Sequence, residues 1–195
     1  MVKSRFGRNE ELKFWCFYFV TILFSNFLHE MGHCMVAWAH GFRAIPTPAK
    51  AYLLEDISPD LNSYFSLGGI ISSVVFPLII FSIFMTSSFK YNSALIAGAI
   101  AMPAMYTLRF LKEGRGHDAS EFQQAQSALG LQYSGHFLDW LFVIILLIGV
   151  CLWAFRAKPN YKAAGRILLG VVLTFVFIVL LQKINNLIFD PIFQS

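Results

Sequence analysis

An all-α integral membrane protein with about five transmembrane helices is the fold class this chain predicts, and two observations carry that expectation. Of its 195 residues, 57% are hydrophobic and 13% charged, with a mean hydropathy of +0.61. Soluble domains carry about 25% charged and about 45–50% apolar residues. The apolar residues are also gathered into blocks, and about 20 residues of apolar helix cross the roughly 30 Å of bilayer hydrocarbon. The same composition excludes intrinsically disordered, collagen-like and low-complexity chains. Cys16, Cys34 and Cys151 stand in apolar runs without paired spacing, which fits neither a disulfide framework nor a Cys-rich zinc site. The net charge of +4 is spread beside the apolar blocks and forms no patch. The partner it points to is a lipid bilayer and not a nucleic acid.

The first block, residues 14–39, follows the basic residues Lys3, Arg5, Arg8 and Lys13. It is too long for a signal peptide, and no small-x-small cleavage site follows it before His40, so it is expected to remain as the first helix. A connector over 41–64 holds Pro46, Pro48 and Pro59 around the stretch Ala49 to Leu54. It can form a membrane-surface loop or an exposed β-edge. The second block, 65–85, opens with Gly68-Gly69 and contains Pro77; the third, 93–110, is rich in Ala and contains Pro103. Both prolines predict kinks and not helix ends, because neighbouring helices can satisfy the freed backbone groups. The fourth block, 137–155, and the fifth, 167–181, are the cleanest apolar runs. With the N-terminus inside, the inner segments hold 9 Lys and Arg and the outer ones 6, which favours a cytoplasmic N-terminus. No internal repeat or second domain is visible, so residues 1–195 read as one membrane domain in which 136–195 contribute two further helices.

Inside the first block stands His29-Glu30-Met31-Gly32-His33, an H-E-x-x-H. Residues four apart share a helix face, so both imidazoles can reach one metal ion. Glu30 lies beside that face and can take a proton from a metal-bound water. Zinc suits the arrangement, since it binds imidazole nitrogen at about 2.0–2.1 Å and keeps one tetrahedral position open. Five His and six Glu in this chain would produce the pattern by chance about 0.4% of the time. Ionisable side chains near a bilayer centre cost roughly 2.5–3.5 kcal/mol each, so two His and a Glu in little more than one turn call for a compensating cation. The competing reading, a polar patch facing a cavity, supplies none.

A third ligand is sought in Gly116-His117-Asp118-Ala119-Ser120-Glu121, just beyond the third block. The first and third blocks cross in the same direction, which brings this stretch to the face nearest the H-E-x-x-H. Asp118, His117 and Glu121 are all acceptable ligands by chemistry, and His117 can instead support a ligand or face a substrate. Asn26, one turn before His29, can hydrogen-bond a ligand or a reacting group, or join helices. His40, His136 and Asp139 read as residues of the membrane interface. Gly68-Gly69 reads as a close helix contact.

His29-Glu30-Met31-Gly32-His33, followed by Ala37 and Gly41, resembles the H-E-x-G-H-x-x-x-A-x-x-x-G pattern of the site-2 protease family, intramembrane zinc metalloproteases that cut substrates within or beside the bilayer. Gly116-His117-Asp118-Ala119 is similar to the Asp-containing motif of compact bacterial members, although many members carry that Asp in a Leu-Asp-Gly context absent here. The resemblance covers roughly residues 14–135. It implies a three-helix catalytic core from the first three blocks, one zinc ion held by His29, His33 and Asp118, and Glu30 as catalytic base. It also implies a membrane protein or peptide as substrate and, for so compact a chain, a bacterial inner membrane. The 41–64 connector is then a candidate for holding an unwound substrate strand by β-augmentation. Two alternatives compete. Glu121-Phe122-Gln123 is faintly similar to the Glu-containing motif of CAAX-type membrane peptidases, which makes Glu121 the third ligand. A non-catalytic metal-binding or transport protein would bind the ion and have no use for Glu30.

Overall fold

The computed structural model describes residues 8–113, 119–131, 136–157 and 161–193. Seven helices and one two-stranded sheet follow one another in these segments: α1 (Arg8–Ala39), β1 (Ala44–Pro46), β2 (Ala51–Leu53), α2 (Pro59–Thr86), α3 (Asn92–Glu113), α4 (Ala119–Ala128), α5 (Phe137–Ala157), α6 (Tyr161–Ile188) and α7 (Asp190–Phe193). Five of the helices, α1, α2, α3, α5 and α6, are long and apolar enough to cross a membrane. They coincide with the five apolar blocks and extend most of them. Pro77 and Pro103 lie inside α2 and α3 without ending either helix.

The start of α2 shows why a block can begin late. Ser58 caps the helix by accepting the Leu61 amide at 3.3 Å, and Pro59 occupies the first turn, where its missing N–H costs nothing. Six residues of helix therefore precede the apolar run that begins at Phe65. The polar helix α4 has no apolar run at all. It is held by the few apolar residues it has: Phe122 and Ala125 enter the main core, where the Phe122 ring lies 6.1 Å from Tyr106 and 5.6 Å from Phe142.

Helix α3 is the most enclosed of the long helices, and α1, α2 and α5 pack on it. Ala94, Ala97, Ala99, Ala101 and Ala104 are all buried along its length, and their small side chains let the surrounding helices close in. α1 and α2 approach more closely still. A Cβ at Gly32 would stand 2.3 Å from the Gly68 carbonyl oxygen, and a Cβ at Gly68 would stand 2.3 Å from the Gly32 carbonyl oxygen. Backbone meets backbone at this crossing, as small residues allow between helices in a bilayer. α6 lies outermost. It joins α1 through a buried hydrogen bond of 2.7 Å between the Tyr18 and Thr174 hydroxyls, and an Arg166–Glu11 ion pair ties the two helices nearer the start of α6.

The connector between α1 and α2 forms an antiparallel hairpin in register Ala44↔Leu53, Ile45↔Tyr52 and Pro46↔Ala51. Of the two readings of the 41–64 connector, loop or β-edge, the strands match the second: β2 falls within Ala49 to Leu54, and β1 precedes it. Successive strand residues point to opposite faces. Ala44, Ala51 and Leu53 turn toward Cys34 and Ala37 of α1 and Phe65 of α2. Tyr52 turns the other way, toward α6 and α7, where its hydroxyl donates to Asp190 at 2.6 Å. Burial, reinforced by the Asp190 carboxylate, pushes the Tyr52 hydroxyl up to about 12. The hydrogen bond from Tyr52 and the Lys50 ammonium hold the Asp190 carboxyl below its usual range.

Gly68→Ala is expected to destabilise the protein by about 1–3 kcal/mol, the usual cost of forcing a methyl group into a filled contact. Gly165→Ala is its control, because a Cβ there meets nothing within 4 Å. Thermal unfolding of both variants in detergent checks the contrast, with Gly165→Ala expected at or above the wild-type midpoint.

Candidate metal centre

His29 and His33 leave α1 one turn apart, on the side where α2 lies closest, and both are buried. The Gly32–Gly68 contact brings main-chain carbonyls of α2 within reach of their rings. His29 Nδ1 stands 3.0 Å from the Gly69 carbonyl and 2.8 Å from the Ser73 hydroxyl, and His33 Nδ1 stands 2.6 Å from the Phe65 carbonyl. A carbonyl only accepts, so each Nδ1 carries the proton and each Nε2 presents a lone pair. The Phe65 ring stacks on His33 with centroids 4.7 Å apart. There is no room for a side chain at Gly69, where a Cβ would fall 2.3 Å from His33 Nε2.

The two Nε2 atoms face one another at 3.1 Å, and Glu121 Oε1 of α4 lies 3.5 Å from the first and 3.4 Å from the second. Two lone pairs and a carboxylate oxygen thus converge on one point. Ligands about 2.0–2.1 Å from a tetrahedral ion stand about 3.3–3.4 Å from each other, so these three atoms have the spacing of one face of a tetrahedral zinc site. His29, His33 and Glu121 offer ligand atoms within 4.8 Å of one another, and they are the only such group among the described residues. The donor set fits a divalent cation.

The surroundings hold each ligand in place. Ser73 links His29 to the hydroxyl of Tyr106 on α3. Ser66 of α2 donates to Gln124 of α4 at 2.7 Å, which fixes α4 beside α2 and Glu121 with it. Glu30, the residue after His29, has its carboxyl group against the backbone of Ala51, at the start of β2, with Lys50 nearby.

Of the residues expected from the sequence, His29 and His33 bring their ring nitrogens together, and Glu30, next to His29 in α1, has its carboxyl group against the Ala51 backbone. Glu121, one of the three ligand candidates, lies within metal-binding distance of both histidines. Asp118 and His117 lie outside the described residues. Asn26 does not meet the cluster; its side-chain amide donates to the Pro48 carbonyl in the hairpin turn. His40 is exposed at the end of α1 with Nδ1 against the Val36 carbonyl, and His136 pairs with Asp139 at 3.0 Å. Sequence reasoning missed Ser73 and Tyr106. Ser73 follows Gly69 by one helical turn and so shares its face, which is the signal that could have found it. No family model, no curated protein and no solved structure matches this chain.

Removing groups that orient a metal ligand commonly lowers metal affinity about 10–100-fold. Ser73→Ala is expected to weaken divalent-cation binding by about tenfold. Gly69→Ala, which displaces the His33 ring itself, is expected to weaken it further. Competition against a chromophoric chelator measures both.

Proposed function

We propose that this chain is a multi-pass membrane protein and an intramembrane zinc metallopeptidase of the site-2 protease type, hydrolysing peptide bonds of membrane-spanning or membrane-proximal substrates. The observation that carries this reading is the convergence of His29 Nε2, His33 Nε2 and Glu121 Oε1 beside a fourth, acidic residue, Glu30. A purely structural polar cluster has no need of two imidazoles locked with their lone pairs toward each other and toward a carboxylate. Nor does it need a further carboxylate beside them. The five apolar helices support placement in a bilayer, and the asymmetry of basic residues supports a cytoplasmic N-terminus in a bacterial inner membrane.

In this reading His29, His33 and Glu121 hold one zinc ion, which when bound polarises a scissile carbonyl and lowers the pKa of water toward about 7. Glu30 acts as general base, taking the proton of the attacking water and passing it to the leaving amine nitrogen. A transmembrane substrate hides its peptide bonds in internal hydrogen bonds, so it must unwind to be cut. The hairpin supports that step: its two strands have no further strand paired at either edge among the described residues, and the backbone of β2 lies against Glu30. An extended peptide can add to such an edge by main-chain hydrogen bonds.

The presence of Glu121 in the cluster favours one second reading, a CAAX-type membrane peptidase, which would act on the free carboxyl-terminal end of a substrate and not on an unwound helix. Internal peptide bonds of a transmembrane substrate separate the two.

Elemental analysis in detergent tests the ligand set. Wild type and Glu30→Gln are expected to hold about one zinc per chain, and His29→Ala and Glu121→Ala to lose it. Asp118→Ala is expected to keep it. Cleavage of a transmembrane substrate by Glu30→Gln is expected to fall by about 10²–10⁴-fold, the usual contribution of a general base. A wild type that binds no metal overturns the proposal, and full activity in Glu30→Gln turns it into a metal-binding protein without peptidase chemistry.

A further inference from the structure

The end of α6 carries a polar residue that the metal centre does not explain. From Gln182 to Ile188, Asn185 is the one buried residue, and it is 2% exposed. Both ends of its amide are engaged by the hairpin that lies before α2. Its Oδ1 accepts from the Thr47 hydroxyl, and its Nδ2 donates to Tyr52 Oη at 2.6 Å. Tyr52 Oη in turn donates to Asp190 Oδ1 at 2.6 Å, and the Lys50 ammonium reaches the same oxygen at 3.3 Å. Thr47 and Tyr52 are each 3% exposed, so these hydrogen bonds are sheltered from water and breaking one leaves a buried polar atom unmatched.

The pleat explains what this network does. Ala44, Ala51 and Leu53 fasten one face of the hairpin to α1 and α2 by apolar contact. On the opposite face, Tyr52 is held by Asn185 and Asp190. Asn26 of α1 secures the turn at Pro48 from a third side. Two further contacts reach the strands' main chain: Trp38 Nε1 donates to the Ala44 carbonyl at 3.0 Å, and the Glu30 carboxyl group meets the Ala51 backbone. The hairpin is thus fixed in depth and tilt against Glu30, and among the described residues no further strand pairs with either of its edges.

We infer that Asn185 and Asp190 are positioning residues for the peptidase reading above: as a clamp, they hold the substrate-receiving hairpin at the depth where an added strand meets Glu30. They touch neither the metal ligands nor the reacting atoms. Their loss should therefore change how substrate is held and leave the metal and the base as they are. A merely structural role would lower stability without singling out the hairpin or substrate binding.

The test compares wild type, Tyr52→Phe, Asn185→Ala and the double variant as full chains in detergent. Tyr52→Phe keeps the ring and removes only the hydroxyl, which guards against a fold that fails in Asn185→Ala. Amide hydrogen exchange over residues 44–54 is expected to quicken about tenfold in each single variant, the scale of a lost buried hydrogen bond. The double variant is expected to add little, because both changes break one network. Zinc content is expected to stay at the wild-type level. KM for a transmembrane substrate is expected to rise by about tenfold with kcat nearly unchanged, the mark of lost binding shared by ground and transition states. Unchanged exchange in both single variants overturns the clamp, whether or not the protein is a peptidase. Faster exchange with unchanged KM overturns its positioning role. A wild type lacking zinc or cleavage fails the peptidase reading instead, and the exchange rates still decide whether the clamp exists.

Discussion

The contact between Gly32 and Gly68, where two helix backbones touch with no side chain between them, sets the geometry on which the candidate centre depends. Gly32 lies between His29 and His33 in the chain. Gly68 lies between Phe65 and Gly69, the residues whose carbonyls receive the two Nδ1 protons. At an ordinary interhelical distance of 8–10 Å those carbonyls would be covered by side chains and beyond the reach of an imidazole. The close crossing makes the backbone of α2 part of the candidate metal centre. Main-chain carbonyls only accept hydrogen bonds, so they hold each neutral histidine in the tautomer with its proton on Nδ1.

The centre also depends on a balance of charge. Among apolar helices it gathers two imidazoles and two carboxylates, a set that is costly to keep away from water without a cation. The fold meets the remaining polar demands one by one. Ser73 and Tyr106 attend His29, and the Ser66–Gln124 hydrogen bond seats the helix that brings Glu121. The two halves of the site differ in origin. The histidines and Glu30 come from one stretch of α1, whereas Glu121 is delivered by tertiary packing of a short polar helix.

That difference explains what could be read from the sequence. His29, Glu30 and His33 are related by helical periodicity alone, a local property, and the five long helices announce themselves by apolar length. Choosing among His117, Asp118 and Glu121 is another matter. All three are chemically suitable within five residues, and the place of Glu121 turns on how α4 is rotated. Its rotation follows from Phe122 and Ala125 docking into a core built by α3 and α5, which no local pattern encodes. Asn185 was illegible for a related reason. In an apolar helix it looks like an isolated polar residue, and its partners Thr47 and Tyr52 stand more than 130 positions earlier. The hairpin fell between these cases: prolines marked the connector and suggested an edge, but only the register shows Tyr52 turned away from α1.

The separation between the hairpin and its clamp has a consequence for how the protein is made. Ribosomes add about 5–20 residues per second, so the 133 residues between Tyr52 and Asn185 correspond to roughly 7–27 s of synthesis. Throughout that interval the nascent chain already contains both histidines and Glu30, yet its hairpin has one face without a partner. Glu121 also emerges only midway through it. Each newly made molecule therefore passes through a period in which the residues of the candidate site are present and unassembled. Completion of the last long helix ends that period, so the order of synthesis itself delays the finished site until the surrounding bundle is in place.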